Sequence, residues 1–404
     1  MTENQNQPKE YDAVLGTQNS APIGSVILGG LEGVKSRLRS VDIEAQISAL
    51  KEALNYGEAG LDLVIQTWQS ESGNFKWAAY SLLRHREEPR VKQALQEYNP
   101  WLNITCLHTL QQDSDITFVA ISPDGRTLVT CGAAINLWDL HTGQLQPISM
   151  DDFNVYSLVM SQDGKTLVSR GGRYKSCHTI KVWDLQTGEL KKKLDGFPDS
   201  LCSLVISPDG GTLACGDKDN VINVWDLQTE QIIRTMSGHS RSKYLSEYLV
   251  QRLAISADGK IIVSSCYDAT IKVWNFETGE LIHIFKQRSN GIQSVAISPD
   301  GQTIVSGNQD KTIKVWNLQT KQLQFTLEGH SGWVFSVAIS PDGNTFVSCS
   351  KDKTIRIWDL QTGECQRILK DHTDWVYCVA ISPDGHNLVS GSRDKTIKIW
   401  GIKS

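Results

Sequence analysis

The sequence predicts a mainly β molecule, seven small antiparallel sheets closed into a ring, preceded by a small all-α domain. Three observations carry this. The tetrapeptide SPDG, with the variants SQDG and SADG, occurs seven times between residues 122 and 385. A Trp follows each copy at short range, and the last four of these are 42 residues apart. Before residue 101 there is no such period, and apolar residues recur instead at helical spacing.

In chain order, residues 1–28 are rich in Asn, Gln and Gly and are expected to be a poorly ordered tail. Residues 29–101 form the helical domain. In VDIEAQISALKEALNYG (41–57), Ile43, Ile47, Leu50 and Leu54 share one face, with Ser40 as a start signal and Gly57 as a stop. GLDLVIQTWQ (60–69) predicts a second helix. A third follows Asn74, with Phe75, Ala79, Leu82 and Leu83 inward, and Pro89 opens a last one carrying Val91, Leu95 and Tyr98. These paired helices resemble short HEAT-type repeats. The segment is similar to one attached to cyanobacterial-type WD-repeat proteins; read by itself it is expected to be a small helical docking or cap domain.

From residue 104 to 402 each period has one internal grammar. In the sixth, VFSVAIS (334–340) alternates as a strand, and PDG makes a turn. TFVSCS is a second strand, KDK a tight turn, TIRIWDL a third strand, QTGE another turn and CQRILK a fourth strand. A four-stranded sheet of this length cannot cover both of its faces, but its neighbours in a ring can. The last period stops after its third strand, and ITCLHTL (104–110) reads like a fourth strand without a sheet. Residues 104–110 are therefore expected to close the last sheet, pairing the two ends of the ring.

This grammar resembles the WD40 family, whose members fold as β-propellers; here it implies a seven-bladed WD40 β-propeller. The Trp-Asp pair stands at 138–139, 183–184, 225–226 and 358–359, and drifts to Trp-Asn at 274–275 and 316–317 and to Trp400-Gly401. The resemblance implies a buried His–Ser–Asp–Trp tetrad per blade. It falls on His239, Ser264, Asp268 and Trp274 in the fourth, on His330, Ser348, Asp352 and Trp358 in the sixth, and on His372, Ser390, Asp394 and Trp400 in the last. The pattern decays elsewhere. The fifth blade keeps Ser306, Asp310 and Trp316 but has Arg288 at the His position. The third has Cys215 and Phe197 for Ser and His, and the first and second have Gly132 and Cys177 for Asp. Ser, His and Asp together invite a hydrolase reading, but a catalytic set is needed once and no GxSxG elbow accompanies it. The tetrads are read as structural.

Two places break the period. The excess residues fall in GGRYKSCH (171–178) and SRSKYLSEYL (240–249), so Arg173, Tyr174, Lys175, Lys243, Tyr244 and Tyr248 are candidates for a raised binding lip. The residue before each tight-turn Asp is implied by the resemblance to point to the same rim face: Lys218, Tyr267, Gln309, Lys351 and Arg393. Trp333 and Trp375 each follow a tetrad His by three and are expected there too. Aromatic rings among Arg and Lys are the composition of binding hot spots.

Composition narrows the function. A net charge of -5 argues against a chain specialised for nucleic acid. No run of apolar residues is long enough for a membrane span, and the polar N-terminus lacks a secretory core, so a cytoplasmic protein is expected. Nine scattered cysteines without a CxxC argue against a disulfide framework or a zinc site. No catalytic residue, metal site or cofactor is expected. The expected function is a non-enzymatic scaffold or adaptor, monomeric by itself, that binds other proteins or peptides. Two alternatives stand beside it. One is a lyase-like cofactor-attachment role by HEAT analogy, with His178 and His283 as the side chains unique to one repeat. The other is nucleic-acid binding through the basic and aromatic rim.

Overall fold

The structure, a computed structural model, describes residues 30–40, 42–71, 73–83, 86, 88–95, 100–146, 150–153, 155–171, 179–194, 203–216, 221–239, 250–266, 268–287 and 291–402. The tail 1–28 and the lip candidates Arg173, Tyr174, Lys175, Lys243, Tyr244 and Tyr248 lie outside them. So do Lys218, Tyr267, Cys177, His178, Phe197 and Arg288. The chain divides into two units, residues 1–103 with 402–404, and Ile104–Gly401.

Among the described residues the first unit holds five α-helices: α1 (Gly30–Leu38), α2 (Ile43–Ala53), α3 (Gly57–Ser70), α4 (Gly73–Leu83) and α5 (Pro89–Leu95). The expected stop at Gly57 is real. α2 tightens into a 3-10 turn over Leu54–Tyr56, and Gly57 then takes φ 59°, open to glycine at no steric cost. Ser40 Oγ accepts the Asp42 N–H just ahead of α2. Leu50, Val64, Ala79, Leu83 and Val91 are wholly buried in one cluster, so the 3.6-residue pattern reports a shared core.

The second unit is seven four-stranded antiparallel sheets. Blade one runs Phe118–Ile121, Thr127–Cys131, Ala134–Asp139 and Met150–Phe153; blade two Val155–Met160, Thr166–Gly171, Thr179–Asp184 and Leu190–Leu194. Blade three is Ser203–Ile206, Thr212–Gly216, Val221–Asp226 and Gln231–Ser237; blade four Val250–Ile255, Ile261–Cys266, Thr270–Asn275 and Leu281–Lys286. Blade five is Ile292–Ile297, Thr303–Asn308, Ile313–Asn317 and Gln322–Leu327; blade six Val334–Ile339, Thr345–Ser350, Ile355–Asp359 and Cys365–Leu369. Blade seven takes Val376–Ile381, Leu388–Ser392 and Thr396–Gly401, and Thr105–Gln111 completes it in antiparallel register with Thr396–Gly401. The early strand closes the ring, as the sequence implies.

Neighbouring blades share cores. Val305, Ile313 and Val315 of blade five pack with Val334, Phe346 and Trp358 of blade six, and Ile116 and Trp138 of blade one pack with Val389 and Ile399 of blade seven. In blades three, five and seven a glycine on the second strand admits the next blade. A Cβ on Gly307 would lie 2.7 Å from Val334 Cγ1, and one on Gly391 would lie 2.5 Å from Ile116 Cγ2.

The repeated SPDG has a physical reason. In blade one Ser122 Oγ donates to Asp124 Oδ1 (2.5 Å), which also accepts the Arg126 N–H, and the Gly125 N–H returns to the Ser122 carbonyl. Blades four and seven repeat this at Ser256–Asp258 and Ser382–Asp384. The Asp of the Trp-Asp pair closes the next hairpin in the same manner. Asp359 Oδ1 accepts the N–H groups of Gln361 and Thr362. Asn275 and Asn317 keep that acceptor for Thr278 and Thr320, so the drift from Asp to Asn preserves the turn.

Blades four, five and six are bulged at both edges. On the fourth strands the register slips opposite the Trp, leaving Ile233, Ile282, Gln324 and Gln366 without ladder partners. On the first strands it slips at Tyr156, Gln251, Gln293, Phe335 and Tyr377. A bulge re-aims the extra residue.

Candidate functional site

The tetrads come first because they hold up the face above them. In blade six Trp358 Nε1 donates to Ser348 Oγ (2.8 Å). Ser348 Oγ is 2.8 Å from His330 Nε2, and His330 Nδ1 is 2.8 Å from Asp352 Oδ2. The hydroxyl already accepts from Trp, so its own hydrogen goes to Nε2 and the ring proton sits on Nδ1, facing the carboxylate. Thr354 Oγ1 adds a donor to Asp352 (2.7 Å), a partner the sequence reading passed over. Blade seven repeats the set at 2.9, 2.8 and 2.9 Å through Trp400, Ser390, His372 and Asp394. Blade four repeats it at 2.9, 2.7 and 3.1 Å through Trp274, Ser264, His239 and Asp268.

Electrostatics follows burial. Desolvation pushes the His239 and His330 imidazoles below their ordinary pKa, outweighing the Asp partners that would raise them. Burial alone would raise the Asp352 and Asp394 carboxyls, but the His and Thr hydrogen bonds hold both well below the carboxylate range. Ser264, Ser348 and Ser390 are wholly buried, so no substrate carbonyl can reach them in this fold. Stranding one of these polar groups costs about 1–3 kcal/mol.

Two blades correct the sequence alignment. In blade five the His position is filled by Gln287, one residue earlier than Arg288. Its Nε2 lies 3.4 Å from Ser306 Oγ, and Lys314 Nζ donates to its Oε1 (2.8 Å). In blade one, where the reading found only a missing Asp, Thr130 takes the Ser place. It accepts from Trp138 Nε1 (2.9 Å) and from Gln112 Nε2 (2.6 Å). Blade three's Cys215 is fully buried and donates to the Asn223 carbonyl.

In blade four Cys266 joins His239 and Asp268, with potential ligand atoms within 4.8 Å of one another. Both ring nitrogens of His239 are already bonded, and the Lys272 ammonium is 3.6 Å from Asp268 Oδ2. That fixed positive charge occupies the region a cation would need. His283 lies on the fourth strand of blade four, edge-on to Phe285 at 4.5 Å.

Above the tetrads of blades six and seven, the expected rim residues meet. Trp333 is 40% exposed. Lys351 Nζ is 5.1 Å from the Trp333 ring and 4.3 Å from the Trp375 ring, and the Arg393 guanidinium is 4.7 Å from Trp375. The backbone explains the stacking: the Lys351 N–H donates to the Trp333 carbonyl and the Arg393 N–H to that of Trp375. Each cation is thus tied to the aromatic residue of its own blade. Arg393 Nε also lies 3.8 Å from Asp374 and 4.0 Å from Asp115. Gln309, the fifth-blade equivalent, instead crowds Gly291, where a Cβ would meet its Cδ at 2.4 Å.

The bulged first-strand residues extend this cluster inward, and the sequence reading missed them. Phe335 is 6.1 Å from Trp375 and 5.3 Å from Tyr377 between ring centres. Phe335 and Tyr377 line, with Thr117, Val155, Arg252 and Gln293, a cleft of about 250 Å³. Six of the seven blades contribute one residue each, which places the cleft on the ring axis. Beside it a notch of about 440 Å³ is lined by Asp113, Ser114, Asp115, Gly132 and Lys395 among others. Its floor is blade one's shortened turn, where a Cβ on Gly132 would lie 2.4 Å from the Asp115 carbonyl oxygen.

The family model described as "WD domain, G-beta repeat" matches residues 104–139, 188–226, 230–275, 279–317, 321–359 and 363–401, more than half of the chain. Most of blade two falls between the first two matches. The chain is 36% identical over 129 residues to the protein groucho of Drosophila melanogaster, covering 31% of this chain and 17% of groucho. It is 27% identical over 179 residues to autophagy-related protein 16 of Arabidopsis thaliana, covering 41% of this chain and 34% of that protein. The chain spans well under two thirds of either relative.

Proposed function

The chain belongs to the WD40-repeat family, and from that premise we propose that it is a non-catalytic scaffold whose propeller rim binds other proteins or peptides. One observation carries the reading: the alternating stack Trp333, Lys351, Trp375 and Arg393 at the surface of blades six and seven. Rings held between cations offer apolar area and charge with little side-chain freedom left to lose, which is what a hot spot needs. The serines of the His–Ser–Asp sets are sealed from solvent, which supports a structural role for them. The HEAT-like helical unit serves as a second docking module. The protein acts in the cytoplasm; among the described residues no helix is long and apolar enough to cross a membrane.

The test is affinity capture with the full chain and with the Trp333→Ala/Trp375→Ala double variant. A specific partner of the parent is lost from the variant at an unchanged melting temperature, with affinity down by roughly 30-fold or more for two hot-spot residues. Equal capture by both proteins would move the platform elsewhere.

A further inference from the structure

The axial cleft has a donor-rich interior. Gln293 Nε2 is buried with no hydrogen-bond partner among the described residues. An amide donor in that position costs free energy until an acceptor arrives. Arg252, the one charged residue among the described residues that line the same cleft, adds a guanidinium, and the Phe335 and Tyr377 rings supply apolar walls. At the rim the cations continue outward through half-buried Lys351 and exposed Arg393, while the nearby Asp115 and Asp374 carboxylates lie against Arg393. The turns beyond carry Lys311, Lys353 and Lys395, each at positive φ (72°, 70° and 65°).

Resting on the platform reading above, we propose that the cleft is a carboxylate subsite and that the partner is an extended acidic peptide segment. An Asp or Glu side chain of that segment enters between Arg252 and Gln293. A neighbouring apolar side chain covers Phe335 and Tyr377, and a further acid pairs with Lys351. The mouth favours a peptide over a nucleic acid. The cleft is about 250 Å³ and Arg252 is the one charged side chain among its described lining residues, a setting that takes a single carboxylate side chain rather than a run of phosphates.

The experiment selects a phage-displayed library of random linear peptides on the immobilised full chain, then measures fluorescein-labelled winners by anisotropy, with labelled oligo-dT as comparison. Enriched peptides share an acid beside an apolar residue. Changing that acid to its amide weakens binding about tenfold or more, the scale of a charge-assisted hydrogen bond. In Arg252→Gln that acid-to-amide difference disappears; Gln293→Met, which keeps side-chain length, reduces it and serves if Arg252→Gln melts early. Winners without an acid, an acid-to-amide change of no effect, or a difference intact in both variants overturns the proposal but leaves the platform standing. Oligo-dT binding as tight as the peptides also overturns it. Winners that bind the Trp333→Ala/Trp375→Ala variant as well as the parent overturn the platform reading too.

Discussion

Trp358 and its three partners show how one position in the repeat comes to be written so strictly. Each atom of the set has one compatible role: the indole donates, the hydroxyl passes its proton inward, and the imidazole passes its own to the carboxylate. Protonating His330 removes the acceptor for Ser348. The folded imidazole has a pKa below its ordinary value, so between that value and about 6.5 the unfolded chain binds more protons than the folded one. Stability from this source is complete above about pH 6.5 and falls as the pH drops. The Asp352 and Asp394 carboxyls are also depressed, so their contribution is complete above about 3.9 and is lost on further acidification. Melting temperatures of the full chain are expected to decrease from pH 7 to pH 5. A His330→Asn variant starts lower and declines less over the same interval; parallel slopes would remove His330 from the explanation. The tetrads were legible in the sequence wherever His, Ser, Asp and Trp kept their spacing. Gln112 with Thr130 was not, because a Gln and a Thr do the same bonding with different letters. Gln287 was not, because one residue of slack in a loop moves the position without moving the atom.

A blade as an element depends on strands that alternate, and alternation is what made the seven sheets readable. The bulge is where that reading failed. In VFSVAI the period of two assigns Phe335 to a sheet face, whereas the slip between Val334 and Ser336 frees it to turn toward the axis. Arg252 and Gln293 in the cleft went unread for the same reason: no local pattern states which ends of several distant strands meet. The signal available in hindsight was the run of large aromatics at Trp333-Val334-Phe335 and Trp375-Val376-Tyr377, three-residue stretches too polar-poor for an ordinary turn. Closure is argued at this scale as well. Thr105–Gln111 supplies the whole fourth strand of blade seven, and Leu110 and Ile116 pack in the core shared with blade one. A chain beginning at residue 112 exposes the ladder of Thr396–Gly401 and is expected to aggregate or to melt without a sharp transition in calorimetry. A melt matching the parent would show that the edge strand is dispensable.

For the whole molecule, stability is expected to be graded around the ring. Blades four, six and seven each carry a complete tetrad, while blade three has Cys215 at the Ser position and the family model passes over most of blade two. Hydrogen exchange read by mass spectrometry is expected to open blades two and three before six and seven, with blade one between them because Gln112 and Thr130 hold it. Faster exchange in blade seven would reverse the gradient. Blades two and three are away from the Trp333–Arg393 stack in the ring order, so opening there is not expected to disturb the rim proposed as the binding platform. The slipped residues on the outer strands have their own consequence. Ile233, Ile282, Gln324 and Gln366 each break a backbone edge that would otherwise template annealing to another chain. At these four blades a neighbouring wheel laid edge to edge meets an interrupted ladder, which disfavours fusion of one ring to the next.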